Sequence, residues 1–182
     1  MTNWRPESPD MYEDVQTRWQ YEHKATGKSP QKRLQRLWRS SRDSARTPMQ
    51  WSAEPNAGFT TAEEPWFYVN ENYEQINVAN QNPDTNSVLN FYRRAVYLRK
   101  TLSCVQEGDY KEYYKRSNKI YMYSRQSQRQ KILVICSFSP KKVHFRVPKY
   151  FYLSTARLIL GNYDSRKENT LQPYECRVYL WK

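Results

Sequence analysis

Apolar residues along this chain change their spacing near residue 105, and that change divides the sequence in two. Upstream the spacing is helical. Met11, Val15 and Trp19 recur at intervals of three to four, which predicts a helix over residues 10–23, opened by Ser8-Pro9-Asp10 and closed by Gly27. Leu34, Leu37 and Trp38 mark one face of a second helix over residues 30–39. A third, capped by Asn86 or Ser87, runs to about residue 102. Val88, Leu89, Tyr92, Ala95, Val96 and Leu98 share its apolar face, and Arg99 and Lys100 lie where the helix dipole favours cations. Between the second and third helices, residues 41–85 keep no period. A stretch that long is functional or disordered. Its aromatics, Trp51, Phe59, Trp66, Phe67, Tyr68 and Tyr73, argue for a packed functional loop, because disordered segments are poor in them.

Downstream of Gly108 the period becomes two. Strands are predicted over residues 110–114, 119–125, 131–138, 143–147, 156–160 and 176–181, with Asn118, Pro140, Pro148, Gly161-Asn162 and Pro173 in or beside the breaks. Short strands at this spacing suggest an antiparallel sandwich. The expected class is therefore α+β, with a helical, loop-rich part over residues 1–103 and an all-β part over residues 104–182.

Composition changes this picture in several places. Hydrophobic residues make up only 38% of the 182, but aromatics reach 15%, so rings must supply much of the core. Aromatic faces also stack on the C–H faces of sugars. No run approaches the roughly 18 apolar residues of a membrane helix, and the N-terminus has no apolar signal core, so no membrane partner and a cytoplasmic location are expected. Cys104, Cys136 and Cys176 are widely and irregularly spaced, which suggests neither a disulfide framework nor a zinc site. His23 and His144 have no acidic partner at metal spacing, and no cofactor is implied. The net charge of +12 raises nucleic-acid binding as a rival function. The densest basic patch, Lys28, Lys32, Arg33, Arg36, Arg39, Arg42 and Arg46, reads instead as the solvated side of the second helix and its exit, so no nucleic-acid partner is expected.

The chemistry concentrates in Ser41-Arg42-Asp43-Ser44-Ala45-Arg46-Thr47-Pro48-Met49-Gln50-Trp51. Asp43 lies between two arginines, so charge pairing can hold the loop, and guanidinium forks suit carboxylates and sugar hydroxyls alike. A structural ion-pair loop and a binding loop are both compatible with these residues.

The same stretch resembles the Ser-Arg-Asp-Asn-Ala-Arg-Thr-Pro-Met-Gln-Trp segment of the α-glucosidase branch of glycoside hydrolase family 13, the branch of oligo-1,6-glucosidase, dextran glucosidase and trehalose-6-phosphate hydrolase. The resemblance continues through Pro55-Asn56-Ala57-Gly58-Phe59-Thr60-Thr61, Val69-Asn70-Glu71-Asn72-Tyr73, Ser87-Val88-Leu89-Asn90-Phe91-Tyr92, Gly108-Asp109-Tyr110, Leu133-Val134-Ile135-Cys136-Ser137-Phe138-Ser139 and Leu171-Gln172-Pro173-Tyr174-Glu175. These blocks keep their order almost without gaps over nearly the whole chain.

The resemblance implies a tail of a (β/α)8 barrel: the loop after strand eight, the last barrel helix, then an all-β domain. Met1-Thr2-Asn3 matches an internal Met-Thr-Asn of the family. The family's reaction is retaining hydrolysis of an α-glucoside, with a carboxylate nucleophile and a carboxylic acid supplied by barrel strands that this sequence does not match. This chain alone is therefore expected to have no catalytic residue and no activity. By the same resemblance Arg42 reaches the terminal glucose of an α-glucoside oligosaccharide, with Asp43 and Arg46 supporting the pocket. Gln16 stands where the family has a glutamate lining the neighbouring sugar site, a departure that bears on substrate preference. Trp19 and Ser44 replace family asparagines. Trp51 and Trp66 are expected to pack in the loop core rather than serve as sugar platforms. The missing barrel, as a separate chain, is a candidate partner. A non-catalytic sugar-binding or structural β module is the alternative.

Overall fold

A computed structural model describes residues 2–24, 27–164 and 169–182. The chain forms two compact units, one up to Thr85 and one from Asn86 onward. The change of period at residues 103–107 thus lies inside the second unit.

In the first unit, residues 10–23 do not form one helix. A 3-10 turn over Pro9–Met11 is followed by α1 at Val15–His23. The break has a local cause: Asp14 takes extended backbone geometry and caps α1, its carboxylate accepting the Thr17 N–H. The start of α1 shifts the buried face as well. Val15 is 79% exposed and Trp19 48% exposed, and the buried residue of α1 is Thr17. Helix α2, Pro30–Ser40, keeps the expected face, with Leu34 and Leu37 buried. They join Trp4, Tyr12 and Phe67 in a small aromatic core, with Trp4 edge-on to Tyr12 and to Phe67 and stacked on Tyr68. The Trp38 indole donates to the Pro6 carbonyl at 3.0 Å, tying the entering chain to α2.

Residues 41–85 are built from turns, but of the aromatics expected to pack them Trp51, Phe59, Trp66 and Tyr68 are exposed and Phe67 is buried. The segment holds 3-10 turns at Arg42–Ala45, Pro55–Gly58 and Glu71–Glu74 and a short helix α3 at Val78–Gln81. Asn56, Ala57 and Gly58 are all left-handed, with φ of 53°, 58° and 64°. That run presents the Ala57 carbonyl to the Trp51 and Ser52 amides at 2.8 and 3.1 Å. The positive φ favours glycine at Gly58, and a Cβ there would also stand 2.5 Å from the Ser52 hydroxyl, which would have to turn away.

The second unit opens with α4, Val88–Thr101, capped by the Ser87 side chain, which accepts the Asn90 N–H, and the short α5, Ser103–Gln106. Among the described residues seven strands follow: β1 Asp109–Tyr113, β2 Ile120–Gln126, β3 Lys131–Ser137, β4 Val143–His144, β5 Arg157–Gly161, β6 Thr170–Leu171 and β7 Cys176–Trp181. Five form an antiparallel sheet in the order β1-β2-β3-β7-β5, and β4 pairs with β6. Five of the six expected strands lie within one or two residues of their predicted bounds. The expected strand at 143–147 shortens to β4, and β6 was not anticipated, being only two residues long.

Alternation gives the large sheet two apolar faces. Ile120, Met122, Leu133, Ile135, Tyr179 and Trp181 meet Phe145, Leu153 and Leu171 on one side. Ile132, Val134, Leu160, Val178 and Leu180 meet Leu102 and Cys104 on the other, with Phe91, Ala95 and Leu98 of α4 packed beside them. This corrects the face expected for α4: Val88 is 81% exposed and Tyr92 is exposed, while Phe91 turns to the sheet. It also explains why α4 belongs to the second unit.

The fragment comprising residues 86–182 is expected to unfold as one cooperative unit in urea. A fragment starting at residue 108 uncovers the face of Ile132, Val134, Leu160, Val178 and Leu180, and should lose at least about 3 kcal/mol by the burial those side chains forfeit. Equal stability of the two fragments would remove α4 and α5 from the core.

Candidate functional site

The candidate loop begins where α2 ends. Ser41 makes the last helical bond, its N–H donating to the Leu37 carbonyl at 2.9 Å, and then turns to extended geometry. Its hydroxyl accepts the Asp43 N–H at 3.2 Å and starts the 3-10 turn over Arg42–Ala45. Successive side chains of the turn are rotated by about 120° from one another. Asp43 has no exposed surface, while Arg42 is exposed.

The Asp43 carboxylate is fully used. Oδ2 accepts the backbone N–H of Glu13 at 2.8 Å and of Asp14 at 3.1 Å, and Oδ1 accepts Arg46 Nη1 at 2.8 Å. It therefore bolts the loop to the turn that precedes α1. Asp14 extends the network. Its Oδ2 accepts from the Thr17 N–H at 2.9 Å and the Thr17 hydroxyl at 2.7 Å, and its Oδ1 lies 3.7 Å from Arg46 Nη1. The Thr17 hydroxyl is 3.1 Å from that of Ser41, which closes the circuit between α1 and the exit of α2. Of the two arginines flanking Asp43, only Arg46 pairs with it. Among the described residues, no side chain or carbonyl takes a hydrogen bond or ion pair from the Arg42 guanidinium.

Gln16 is exposed on α1, one residue from the buried Thr17. Asp14 and Thr17, the other half of the network, were not read from the sequence. The signal was available, since an aspartate three residues before a threonine suits an N-cap, but the helix start placed at residue 10 hid it.

Further along, the Gln50 amide donates to Asn72 Oδ1 at 3.0 Å and to the Ile76 carbonyl at 2.7 Å. Its carbonyl oxygen is buried without a partner among the described residues, as are the Tyr12 hydroxyl and the Ser44 hydroxyl. Burial, reinforced by the negative charge of Asp43, pushes the Tyr12 phenol well above its ordinary range. Trp51 and Trp66 are not in the loop core as expected: they are 50% and 64% exposed, and Trp4 and Phe67 fill that place. Trp66 and Tyr68 instead wall a concavity of about 450 Å³ with Glu13, Asn56 and Glu64. Among the described residues no cluster of His, Cys, Asp or Glu could hold a metal ion.

The catalytic-domain profile of the α-amylase family matches residues 1–108. The chain belongs to the α-amylase family. Its relatives include the oligo-1,6-glucosidase of Parageobacillus thermoglucosidasius, 38% identical over 98% of this chain and 33% of that enzyme. That of Bacillus cereus is 38% identical over all of this chain and 34% of the enzyme. Among solved structures, trehalose-6-phosphate hydrolase of Bacillus licheniformis superposes over the full chain with a TM-score of 0.87 at 33% identity, again covering 34% of that enzyme. Isomaltulose synthase of Klebsiella sp. LX3 gives 0.85 at 28% identity. The chain thus spans about a third of the length of the relatives it matches.

The unpartnered Tyr12 hydroxyl carries a desolvation cost with no bond to offset it. Tyr12→Phe is therefore expected to leave thermal stability unchanged or to raise it by up to about 1 kcal/mol. A loss greater than that in thermal or urea unfolding would mean the hydroxyl has a partner.

Proposed function

We propose that this chain is a C-terminal portion of an α-glucosidase acting on short α-glucosides. In this reading it brings a substrate-pocket residue, Arg42, and the terminal all-β domain to an enzyme whose catalytic carboxylates lie elsewhere. The observation that carries the reading is the pairing at the loop. Asp43 is consumed by the Glu13 and Asp14 amides and by Arg46, which leaves Arg42 exposed on a turn that cannot shift without breaking those bonds. A planar guanidinium held that way can donate two parallel hydrogen bonds to neighbouring hydroxyls of a terminal glucose. Gln16 would face the next sugar through a neutral amide, which donates as well as accepts where a carboxylate only accepts.

In this reading the isolated chain is inactive, because the family's nucleophile and general acid come from barrel strands that this sequence does not match. Retaining hydrolysis needs two carboxyl groups about 5 Å apart, one of them free to attack. The buried acids among the described residues are engaged otherwise: Asp14 caps α1, Asp43 bolts the loop, and Glu175 pairs with Arg177 at 2.7 Å. The remaining barrel would have to come from further sequence or from a separate chain. A barrel tail followed by a β domain is the architecture this reading assigns to the helices and the antiparallel sheet.

A second reading rests on the exposed Trp51, Trp66 and Tyr68, which would suit a sugar-binding module without chemistry. Saturable binding of isomaltose by the isolated chain, abolished by Trp66→Ala, would favour it over the first.

No turnover of p-nitrophenyl α-glucoside is expected from the purified chain. Joined to the upstream barrel of a relative, it should give an active enzyme in which Arg42→Lys lowers kcat/KM by about 2–4 kcal/mol, the loss of a charged hydrogen bond. Arg46→Lys should cost stability more than rate. Turnover by the chain alone, or an unchanged kcat/KM in Arg42→Lys, contradicts the reading.

A further inference from the structure

The irregular spacing of the cysteines hides a pair. Cys136 and Cys176 are partners in the register of β3 and β7, and their sulfurs lie 3.3 Å apart. The hydrogen-bond pattern identifies the kind of pair. The Ser137 N–H donates to the Glu175 carbonyl at 2.7 Å, and the Cys176 N–H turns away to Asn162 Oδ1 at 2.8 Å. The two cysteines therefore occupy a non-hydrogen-bonded site of the antiparallel ladder. At such sites Cα atoms approach to about 4.5 Å and side chains come closest, within the roughly 4.4–6.8 Å span over which a disulfide closes. Both thiols are free and half-buried, at the rim of the apolar face that holds Val178 and Val134. Cys104, by contrast, is wholly buried.

We propose that Cys136 and Cys176 form a site of reversible oxidation, at which a low-molecular-weight disulfide converts the two thiols into a cross-strand disulfide joining β3 to β7. The Cys136 thiolate attacks one sulfur of the reagent and expels its other half as a thiolate. Cys176 then gives its proton to solvent and attacks Cys136 Sγ in the mixed disulfide, expelling the second half. One S–S bond breaks in the reagent and one forms in the protein. The cysteines lose two electrons and two protons, and the reagent gains them as two thiols. A hydrogen bond from the Cys176 thiol stabilises the Cys136 thiolate and pulls Cys136 below its ordinary range, against the opposing effect of burial. The same contact, then burial, pushes Cys176 up. Cys136 is thus the first nucleophile and Cys176 the resolving thiol. The bridge ties the ends of a segment that contains β4, β5 and β6, so oxidation fixes the register at the centre of the five-stranded sheet.

The test uses the full chain in native buffer with excess oxidised glutathione, followed by acid quench, alkylation, intact mass and peptide mapping. The expected product has lost two hydrogens, links the Cys136 and Cys176 peptides, retains Cys104 as a free thiol, and reverts with dithiothreitol. Because the second attack is intramolecular, the singly glutathionylated species should stay below about one-tenth of the total. Cys176→Ser removes the resolving thiol and should stop at one glutathione on Cys136. A native chain that stays fully reduced while the urea-unfolded chain reacts would overturn the proposal. So would stable glutathione adducts on the wild type, or a bridge through Cys104 or between chains. The wild-type masses decide the question by themselves if Cys176→Ser does not fold.

Discussion

The Asp43 carboxylate, buried without exposed surface, governs the first unit. A charge in such a place is tolerable only if its lone pairs are taken up, and here two backbone amides and a guanidinium do so. The consequence is geometric. One side chain fixes the exit of α2 against the entrance of α1, two segments some thirty residues apart in sequence. The 3-10 turn rotates each side chain about 120° from the last, so with Asp43 turned inward its neighbour Arg42 falls on the exposed side. The exposed cation is thus a product of the buried anion. Arg46 pairs with Asp43 while remaining partly in solvent, which screens its bond and makes the amide contacts the firmer part of the network.

The second unit rests on a different physics. Its central strand β3 is buried on both faces, and covering the two faces takes a helix on one side and a β4–β6 pair with its loops on the other. A fully apolar run such as Ile132 to Ile135 is the sequence mark of such a strand. It also explains why α4, read from sequence as the last helix of the upstream part, is bound into the sheet's core through Phe91, Ala95 and Leu98.

Much of this was legible in the residues. Period-two alternation located five strands, and Leu34 and Leu37 located α2 and its buried face. That Asp43 would pair with a flanking arginine was legible, and the family resemblance implied that Arg46 is the one that supports the loop. Long-range partners were not legible. Nothing in the local sequence says that Asp43 will find the Glu13 and Asp14 amides, or that Cys136 and Cys176 will meet, because register between distant strands is set by tertiary packing. The faces of α1 and α4 were misread for a related reason. Val15, Trp19, Val88 and Tyr92 fit the helical period but stay exposed, and periodicity alone does not say which side of a helix meets a neighbour. The exposed Trp51 and Trp66 belong with them.

The claim that the Asp43 carboxylate holds the loop is tested most directly by amide hydrogen exchange at Glu13 and Asp14 in Asp43→Ala. One oxygen, Oδ2, serves both amides, so only a residue with no acceptor there deprives both; alanine removes it together with the partner of Arg46. Exchange at both amides should accelerate about 30-fold, equivalent to about 2 kcal/mol, while Ile135 in β3 is unaffected. Unchanged protection at Glu13 and Asp14 would contradict the account.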